Sequence, residues 1–360
     1  KPLGLGIQKK YWQLKVNLLL IQIPEKIYVE ESVSNHPFTK KILSKIDRTP
    51  IIYVEDYKKI GEDKPFTQRA DEDKNSLALA NKKGELVKSI GRMDHGQFYL
   101  FHEIDCKYDC EYCYLQYYFQ TKVPVVFVNR DEVLEKIEEI LMSFDNPYFH
   151  VGEVCDALAF DDLTEFSLDI AELFSRHENG TIEFRTKSTN VENLISIKNP
   201  PRNIIPSWTF SPQKIVETIE HKTPSFNERL SAAKRCQEAG YTVGVRLDPI
   251  IRIPGWEDQY RLIVEELLTT LDTQKIDYIA LGTPKHNKVL FEVIKKRFPE
   301  SPTILGEIFP STDGKYKYLK FQRVQIYKTM ISWIREFSQD IKVDLSIESN
   351  EVKELVFKSV

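Results

Sequence analysis

The residues best suited to chemistry are three cysteines spaced C-x-x-x-C-x-x-C, Cys106, Cys110 and Cys113, inside Phe101-His-Glu-Ile-Asp-Cys-Lys-Tyr-Asp-Cys-Glu-Tyr-Cys-Tyr-Leu-Gln116. Iron–sulfur clusters are held by cysteine thiolates, and a cubane ligated wholly by protein uses four of them. Three thiolates on one short loop can therefore hold three irons and leave the fourth open to another ligand. The competing reading is a zinc site of three thiolates completed by His102 or Cys155. Zinc loops more often carry paired C-x-x-C units, and this chain has no second pair. The chain holds 5 cysteines without a disulfide-like pattern, which points to metal in a reducing compartment.

The elements that must position this loop are legible as an alternation of strands and helices. A small α/β lead-in runs from about Ile27 to Val87, with a helix over Phe38–Ile46, a strand over Thr49–Val54 and a charged surface loop over Lys58–Lys74. From Phe98 the pattern becomes regular. Strands are predicted over Phe98–Glu103, Val125–Val128, Tyr148–Gly152, Thr181–Thr186, Ile204–Phe210, Tyr241–Leu247 and Ile276–Leu281. Helices are predicted over Asp162–Arg176, Val191–Ile197, Phe226–Ala239, Asp258–Leu271 and Lys288–Arg297, and another starts at Asn129 as N-cap with Glu132 three residues on. Ser225 and Glu228 form a capping box signature, and Gly240 stops that helix. Asp161 and Asp162 read as the N-cap of the helix that follows them.

Such alternation argues for βα units around a parallel sheet. About six units fit between Phe98 and Arg297, fewer than the eight of a closed barrel. The expected fold is an α/β partial (βα)6 barrel with the small N-terminal α/β lead-in and a C-terminal extension. That extension comprises a hairpin turning at Asp313-Gly314, a helix over Val324–Phe337 and a strand near Lys342–Ile347. The expected division is 1–96, 97–300 and 301–360. Ligands of such folds bind at the C-terminal ends of the strands, so the cysteine loop, which follows the first strand, falls on the ligand face.

Bulk composition narrows the function classes. Hydrophobic residues at 41% and charged residues at 29% are ordinary for a globular protein. The net charge of −4 and pI near 6.1 provide no global basic field, so nucleic acid is not favoured as a partner, although a local basic patch remains compatible. The apolar stretch Leu18–Ile23 is too short to span a bilayer and lacks a small-residue cleavage site, which gives a cytoplasmic expectation with no membrane partner.

The cysteine spacing, with the aromatic Tyr112 before the last cysteine, resembles the radical S-adenosylmethionine (SAM) superfamily, in which SAM is the ligand of the open iron. The ending Tyr-Cys-Tyr-Leu-Gln116 is similar to the spore photoproduct lyase family. So are Phe184-Arg-Thr-Lys187, Trp208-Thr-Phe-Ser211, Ser225-Phe-Asn-Glu-Arg229, Asp248-Pro-Ile-Ile-Arg252, Gly255-Trp-Glu257 and Gly314-Lys-Tyr-Lys-Tyr318, all in family order. The resemblance spans roughly residues 27–340. It implies a radical SAM barrel, a 4Fe–4S cluster on Cys106, Cys110 and Cys113, and SAM contacts from Lys187, Ser211 and Gln213. Tyr112 would lie by the adenine, Gly152-Glu153 would bind the SAM ammonium, and Tyr114 would belong to a hydrogen-transfer relay. The implied activity is reductive cleavage of SAM to a 5′-deoxyadenosyl radical for hydrogen abstraction, fed by a flavodoxin-type reductase.

The chain departs from the family pattern in two places. The lyases end the strand before their first long helix in Ala-Cys-Thr-Ser-Asp, whose cysteine donates hydrogen to the product radical. Here the segment is Gly152-Glu-Val-Cys-Asp-Ala-Leu-Ala159, and aligning Asp156 puts Glu153 in the donor position. Cys155 lies two residues later, on the same face of an extended segment, which makes it a relocated catalytic candidate. The lyases also carry an Arg-Tyr pair before Gly-Lys-Tyr, where this chain has Phe309-Pro-Ser-Thr-Asp313. These changes favour a substrate other than a thymine photoproduct: a small molecule, a peptide or a nucleotide. The alternatives are a DNA-repair lyase with a relocated donor and a zinc-binding module without catalysis. Arg246, Asp248 and Arg252 are candidates for the substrate side, Cys236 for the core, and His95 and His102 for structural roles. The Lys82–Lys88 and Lys315–Lys320 patches read as solvated faces, the second of them with possible phosphate contact.

Overall fold

The computed structural model describes residues 23–46, 48–63, 74–90 and 96–358. Most of Leu18–Ile23, much of the Lys58–Lys74 loop, and His95 fall outside the described residues.

Six strands form the body of the molecule. Gln97–Leu100, Tyr148–Val151, Thr181–Thr186, Ile204–Thr209, Val243–Leu247 and Ile276–Leu281 lie side by side in that order, all parallel. Helices follow the strands, whose residues are largely buried. Parallel strands buried in this way read as continuous apolar runs rather than alternating ones, and every residue of Ile204–Thr209 is buried. Val343–Leu345 extends the sheet parallel to Ile276–Leu281, and Val87–Ser89 caps the other edge antiparallel to Gln97–Leu100. The edge strands do not pair with each other, so the sheet is an open, partial barrel, the architecture expected from the alternation.

A second sheet of 5 strands sits beside the barrel in the order Ile51–Val54, Ile27–Glu30, Leu77–Ala80, Val125–Phe127, Glu103–Ile104. Two sequence expectations change here. Val125–Phe127 is not a barrel strand; it pairs with Leu77–Ala80 in this sheet. The expected Phe98–Glu103 strand breaks at Phe101–His102, and Glu103–Ile104 crosses over to pair antiparallel with Val125–Phe127. Two backbone groups at the break keep partners in neighbouring strands and loops: Phe101 N donates to Leu86 O at 2.9 Å and Phe127 N to His102 O at 3.0 Å.

Local chemistry also departs from expectation at two helix starts. Asn129 does not cap its helix through its side chain. Its amide instead accepts from Lys82 N at 2.9 Å and donates to Lys82 O at 3.2 Å, joining the loop after Leu77–Ala80 to the helix Arg130–Ser143. The expected helix Asp162–Arg176 is divided at Glu165, whose φ of 55° breaks it into Asp161–Thr164 and Phe166–Phe174. Lys41 and Lys45 hold that carboxylate at 2.6 Å each. The Asp161 carboxylate caps the second helix by accepting from Ser167 N at 2.8 Å. The Ser225–Glu228 capping box forms as read.

The Asp313-Gly314 turn joins Phe309–Pro310 to Lys315–Lys317, and Lys285–Asn287 completes a three-stranded sheet at the barrel mouth. Cys236 is fully buried in the core. Gly282 ends the last barrel strand against Asp248, and a Cβ built there would lie 2.0 Å from Asp248 Oδ1. Gly282→Ala is expected to displace that carboxylate and destabilise the fold by about 1–3 kcal/mol, the cost of overpacking a close contact; urea unfolding of the two proteins measures it.

Candidate active site

The cysteine loop is shaped by residues on either side of it. Asp105 adopts φ 61°, a left-handed conformation that an aspartate tolerates by bonding its own backbone. Its Oδ1 accepts from Cys106 N at 2.7 Å and from Lys74 Nζ at 2.5 Å, and Lys74 also donates to Cys106 O at 2.7 Å. Asp109–Cys110 then pairs antiparallel with Glu220–His221. Asp109 binds Arg297 at 2.9 Å and accepts from Gln116 Nε2 at 2.7 Å, while Gln116 also donates to Cys110 O at 3.0 Å. The loop is therefore pinned by residues from three distant parts of the chain.

All five cysteines are free, and Cys106, Cys110 and Cys113 line one cavity of about 330 Å³ at the C-terminal ends of the barrel strands. Burial pushes all three thiols up, Cys110 to about 12. Two ammonium groups oppose that burial: Lys74 acts on Cys106 and Cys113, and Lys187 on Cys110 and Cys113. Burial would push Lys74 and Lys187 themselves down. Asp105, Cys106 and Asp109 together outweigh this for Lys74, and Cys110, Glu220 and Cys113 together do so for Lys187, so both stay charged. Three free thiols on one loop, flanked by buried cations, fit a thiolate-held metal cluster.

The rest of the cavity wall gathers most of the residues singled out in the sequence. Tyr112, Tyr114, Gly152, Glu153, Cys155, Lys187, Arg246 and Asp248 all line it. Gly152 has φ 97°, and a Cβ there would lie 2.4 Å from Arg185 O, so only glycine lets the strand end turn into the cavity. Glu153 extends from that turn to Arg185 Nη1 at 3.1 Å. The Tyr114 hydroxyl donates to the Glu153 carbonyl. Burial raises the Tyr114 phenol well above its ordinary range, so it keeps its hydrogen. Lys187 stands over the Tyr112 ring at 5.4 Å, and its backbone N–H donates to Asp156 Oδ2 at 2.6 Å.

Ser211 and Gln213 do not line the cavity. Ser211 is buried and donates to Glu220 Oε1 at 2.9 Å. Gln213 bonds Glu217 at 3.0 Å and accepts from Phe226 N at 3.1 Å. Arg252 pairs with Glu307 at 2.6 Å, away from the cavity. Residues missed in the sequence form the support. Glu220, fully buried, accepts from the Tyr112 hydroxyl and pairs with Arg229 at 2.6 Å. Arg229 lies inside the Ser225–Arg229 motif, which was the one available signal. Lys74, Asp109 and Arg297 carried none.

A partial barrel with a three-thiol loop at its mouth, a glycine-glutamate strand end and a lysine on the next strand defines the radical SAM class. Comparison with known proteins is more specific. The family model described as spore photoproduct lyase matches residues 22–346. Spore photoproduct lyase of Geobacillus sp. (strain Y412MC61) is 24% identical over 341 residues, covering 89% of this chain and 98% of the relative. That of Bacillus subtilis (strain 168) is 23% identical over 337 residues, with the same coverage. Among solved structures, a double mutant of spore photoproduct lyase with bound AdoMet and dinucleoside spore photoproduct superposes with a TM-score of 0.79 at 21% identity, covering 89% of this chain and 98% of that one. The chain belongs to the spore photoproduct lyase family. It is a radical SAM enzyme, and the cofactors of that class are a 4Fe–4S cluster and SAM.

Replacing Lys74 by Met would leave the Asp105 carboxylate buried without its cation. The expected loss is about 3–5 kcal/mol, read as a lower thermal midpoint, together with less iron per chain after anaerobic reconstitution.

Proposed function

We propose that this chain generates a substrate radical in the cavity at the barrel mouth, with Cys106, Cys110 and Cys113 as cluster ligands and SAM seated between Tyr112, Gly152-Glu153 and Lys187. The observation that carries this reading is the shared cavity: three free cysteines open onto the space lined by Tyr112, Tyr114, Glu153 and Lys187. With cluster and SAM bound, the pair supplies one-electron cleavage of the sulfonium and a 5′-deoxyadenosyl radical that takes hydrogen from a C–H bond. The protein positions and shields that chemistry.

Each residue has a task consistent with its surroundings. The Glu153 carboxylate accepts from an ammonium, and Lys187 offers a buried cation to a carboxylate. Tyr112 is held by Glu220, which Ser211 and Arg229 in turn fix; Ser211 thus acts on the cofactor seat through Glu220. Tyr114 keeps a hydrogen at the cavity wall and is the group we assign to hydrogen return. Arg246 and Asp248, an ion pair at 3.3 Å, face the cavity together with Lys285 and suit a polar substrate. A flavodoxin-type reductase is the proposed electron donor.

Glu153 in the family's donor position and Phe309–Asp313 in place of the Arg-Tyr pair favour a substrate other than the thymine photoproduct. Reversal of that photoproduct is the second reading. It is supported by membership over residues 22–346 and by Lys315 and Lys317 on the hairpin paired with Lys285–Asn287. The test is anaerobic turnover of the reconstituted enzyme with SAM, reductant and dinucleoside spore photoproduct. The proposed reading expects 5′-deoxyadenosine without thymine product, and the second expects thymine product, with 5′-deoxyadenosine accumulating only where its hydrogen is not returned. An iron-loaded enzyme that forms no 5′-deoxyadenosine would overturn the proposal. Tyr114→Phe is expected to keep its iron while losing product formation.

A further inference from the structure

At the cavity wall, where Cys155 shares the lining with the cysteine loop, lies a second set of metal-binding side chains. His102, Glu103 and Cys155 are all buried, and one ligand atom from each lies within 4.8 Å of the others. His102 occupies the break where the chain leaves the barrel for the neighbouring sheet, Glu103 starts the strand on the far side, and Cys155 follows the Gly152 turn. The break thus brings an imidazole, a carboxylate and a thiol to one point.

The histidine is the second, independent observation. It is 3% exposed, and neither ring nitrogen has a hydrogen-bond partner. Buried polar groups are nearly always paired, and an orphaned one costs about 1–3 kcal/mol. The ring is also held in place, stacked on Phe166 with centroids 4.2 Å apart and planes 14° from parallel. His102 Nε2 lies 3.8 Å from Glu103 Oε1. That is too long for a hydrogen bond and a few tenths of an ångström more than the roughly 3.3 Å between two ligand atoms on a tetrahedral zinc, a gap that a small side-chain movement closes.

We propose that His102, Glu103 and Cys155 bind a divalent metal ion of the zinc class, distinct from the cluster site. Imidazole, carboxylate and thiolate are all zinc ligands, and three protein ligands leave one position for water or another group. The ion would satisfy His102 and add positive charge to that of Lys107 in a region where the buried Glu103 stands near Asp156, Asp161 and Asp162. Those two acids already have partners: Asp156 accepts from Thr186 Oγ1 at 2.6 Å, and Asp161 from Ser167 Oγ at 2.6 Å. A metal-bound thiolate has no hydrogen to give. The site therefore withdraws Cys155 from hydrogen transfer and leaves that task to Tyr114. It also shares no ligand with the Cys106–Cys113 loop, unlike a zinc knuckle completed by His102 or Cys155.

The experiment uses full-length protein with its cluster reconstituted, then supplied with zinc sulfate and desalted. Iron and zinc per chain are measured, together with the zinc K-edge absorption spectrum. The expected result is about one zinc beside about four irons, with a single sulfur neighbour to zinc. In His102→Asn and Cys155→Ala holoproteins, zinc should fall by about tenfold or more while iron is kept. No zinc above background in the wild type, three sulfur neighbours per zinc, or zinc retained in both variants would each overturn the proposal. The wild-type spectrum decides even if a variant fails to fold. Loss of iron with zinc retained would count against the cluster and leave this site standing.

Discussion

The arrangement around the cysteine loop depends on keeping buried opposite charges together. Lys74 with Asp105, Arg297 with Asp109 and Arg229 with Glu220 each place a cation and an anion in the interior. Taking such ions from water is costly, and the pairing holds only while both partners remain in place. That makes the pairs a weak source of net stability and a strong source of geometry. Lys74 and Arg297 fasten the loop to elements far away in the chain, and Arg229 fastens the strand Glu220–His221 beside it to the helix that follows. A loop of three thiols has no core of its own, and these pairs give it a definite shape.

The cavity divides into two walls of different character. One wall holds the cysteines, Tyr112, Tyr114 and Lys187, with aromatic rings and a cation around the sulfurs. The other holds Arg246, Asp248 and Lys285, contributed by later strands and by the strand that pairs with the C-terminal hairpin. The first wall is made from segments where the chain resembles its family most closely. The hairpin behind the second is where Phe309–Asp313 departs from it. On the proposed reading, cofactor handling and substrate choice fall to different stretches of sequence, and one can change without the other.

Much of this was legible from residue order. The cysteine spacing, the glycine-glutamate strand end and the strand–helix alternation are local patterns, and each survives in three dimensions. What escaped was non-local. Val125–Phe127 reads as another barrel strand because an apolar run does not say which sheet it joins. The break at Phe101–His102 has no glycine or proline to mark it. Asn129 stands at the N-cap as read, but its amide bonds the backbone of Lys82 in the loop after Leu77–Ala80 instead of the helix's own N–H groups. Glu220, Asp109 and Arg297 stand in the sequence as ordinary charged residues, Arg229 is marked only by its motif, and the burial of all four follows from how separate segments meet. Ser211 was picked out by resemblance, but its distance from the cavity wall could not be read from spacing.

The crossing at Phe101–His102 has a consequence for how separable the parts of this molecule are. The chain leaves the barrel after Gln97–Leu100, adds Glu103–Ile104 and later Val125–Phe127 to the neighbouring sheet, and only then returns for Tyr148–Val151. The two sheets are interwoven, not joined end to end. The N-terminal layer cannot be excised, swapped or recombined as a cassette, because two of its strands lie between barrel strands in the sequence. The cysteine loop sits in the same excursion. Any insertion that separated the layers would have to cut through the reactive centre itself.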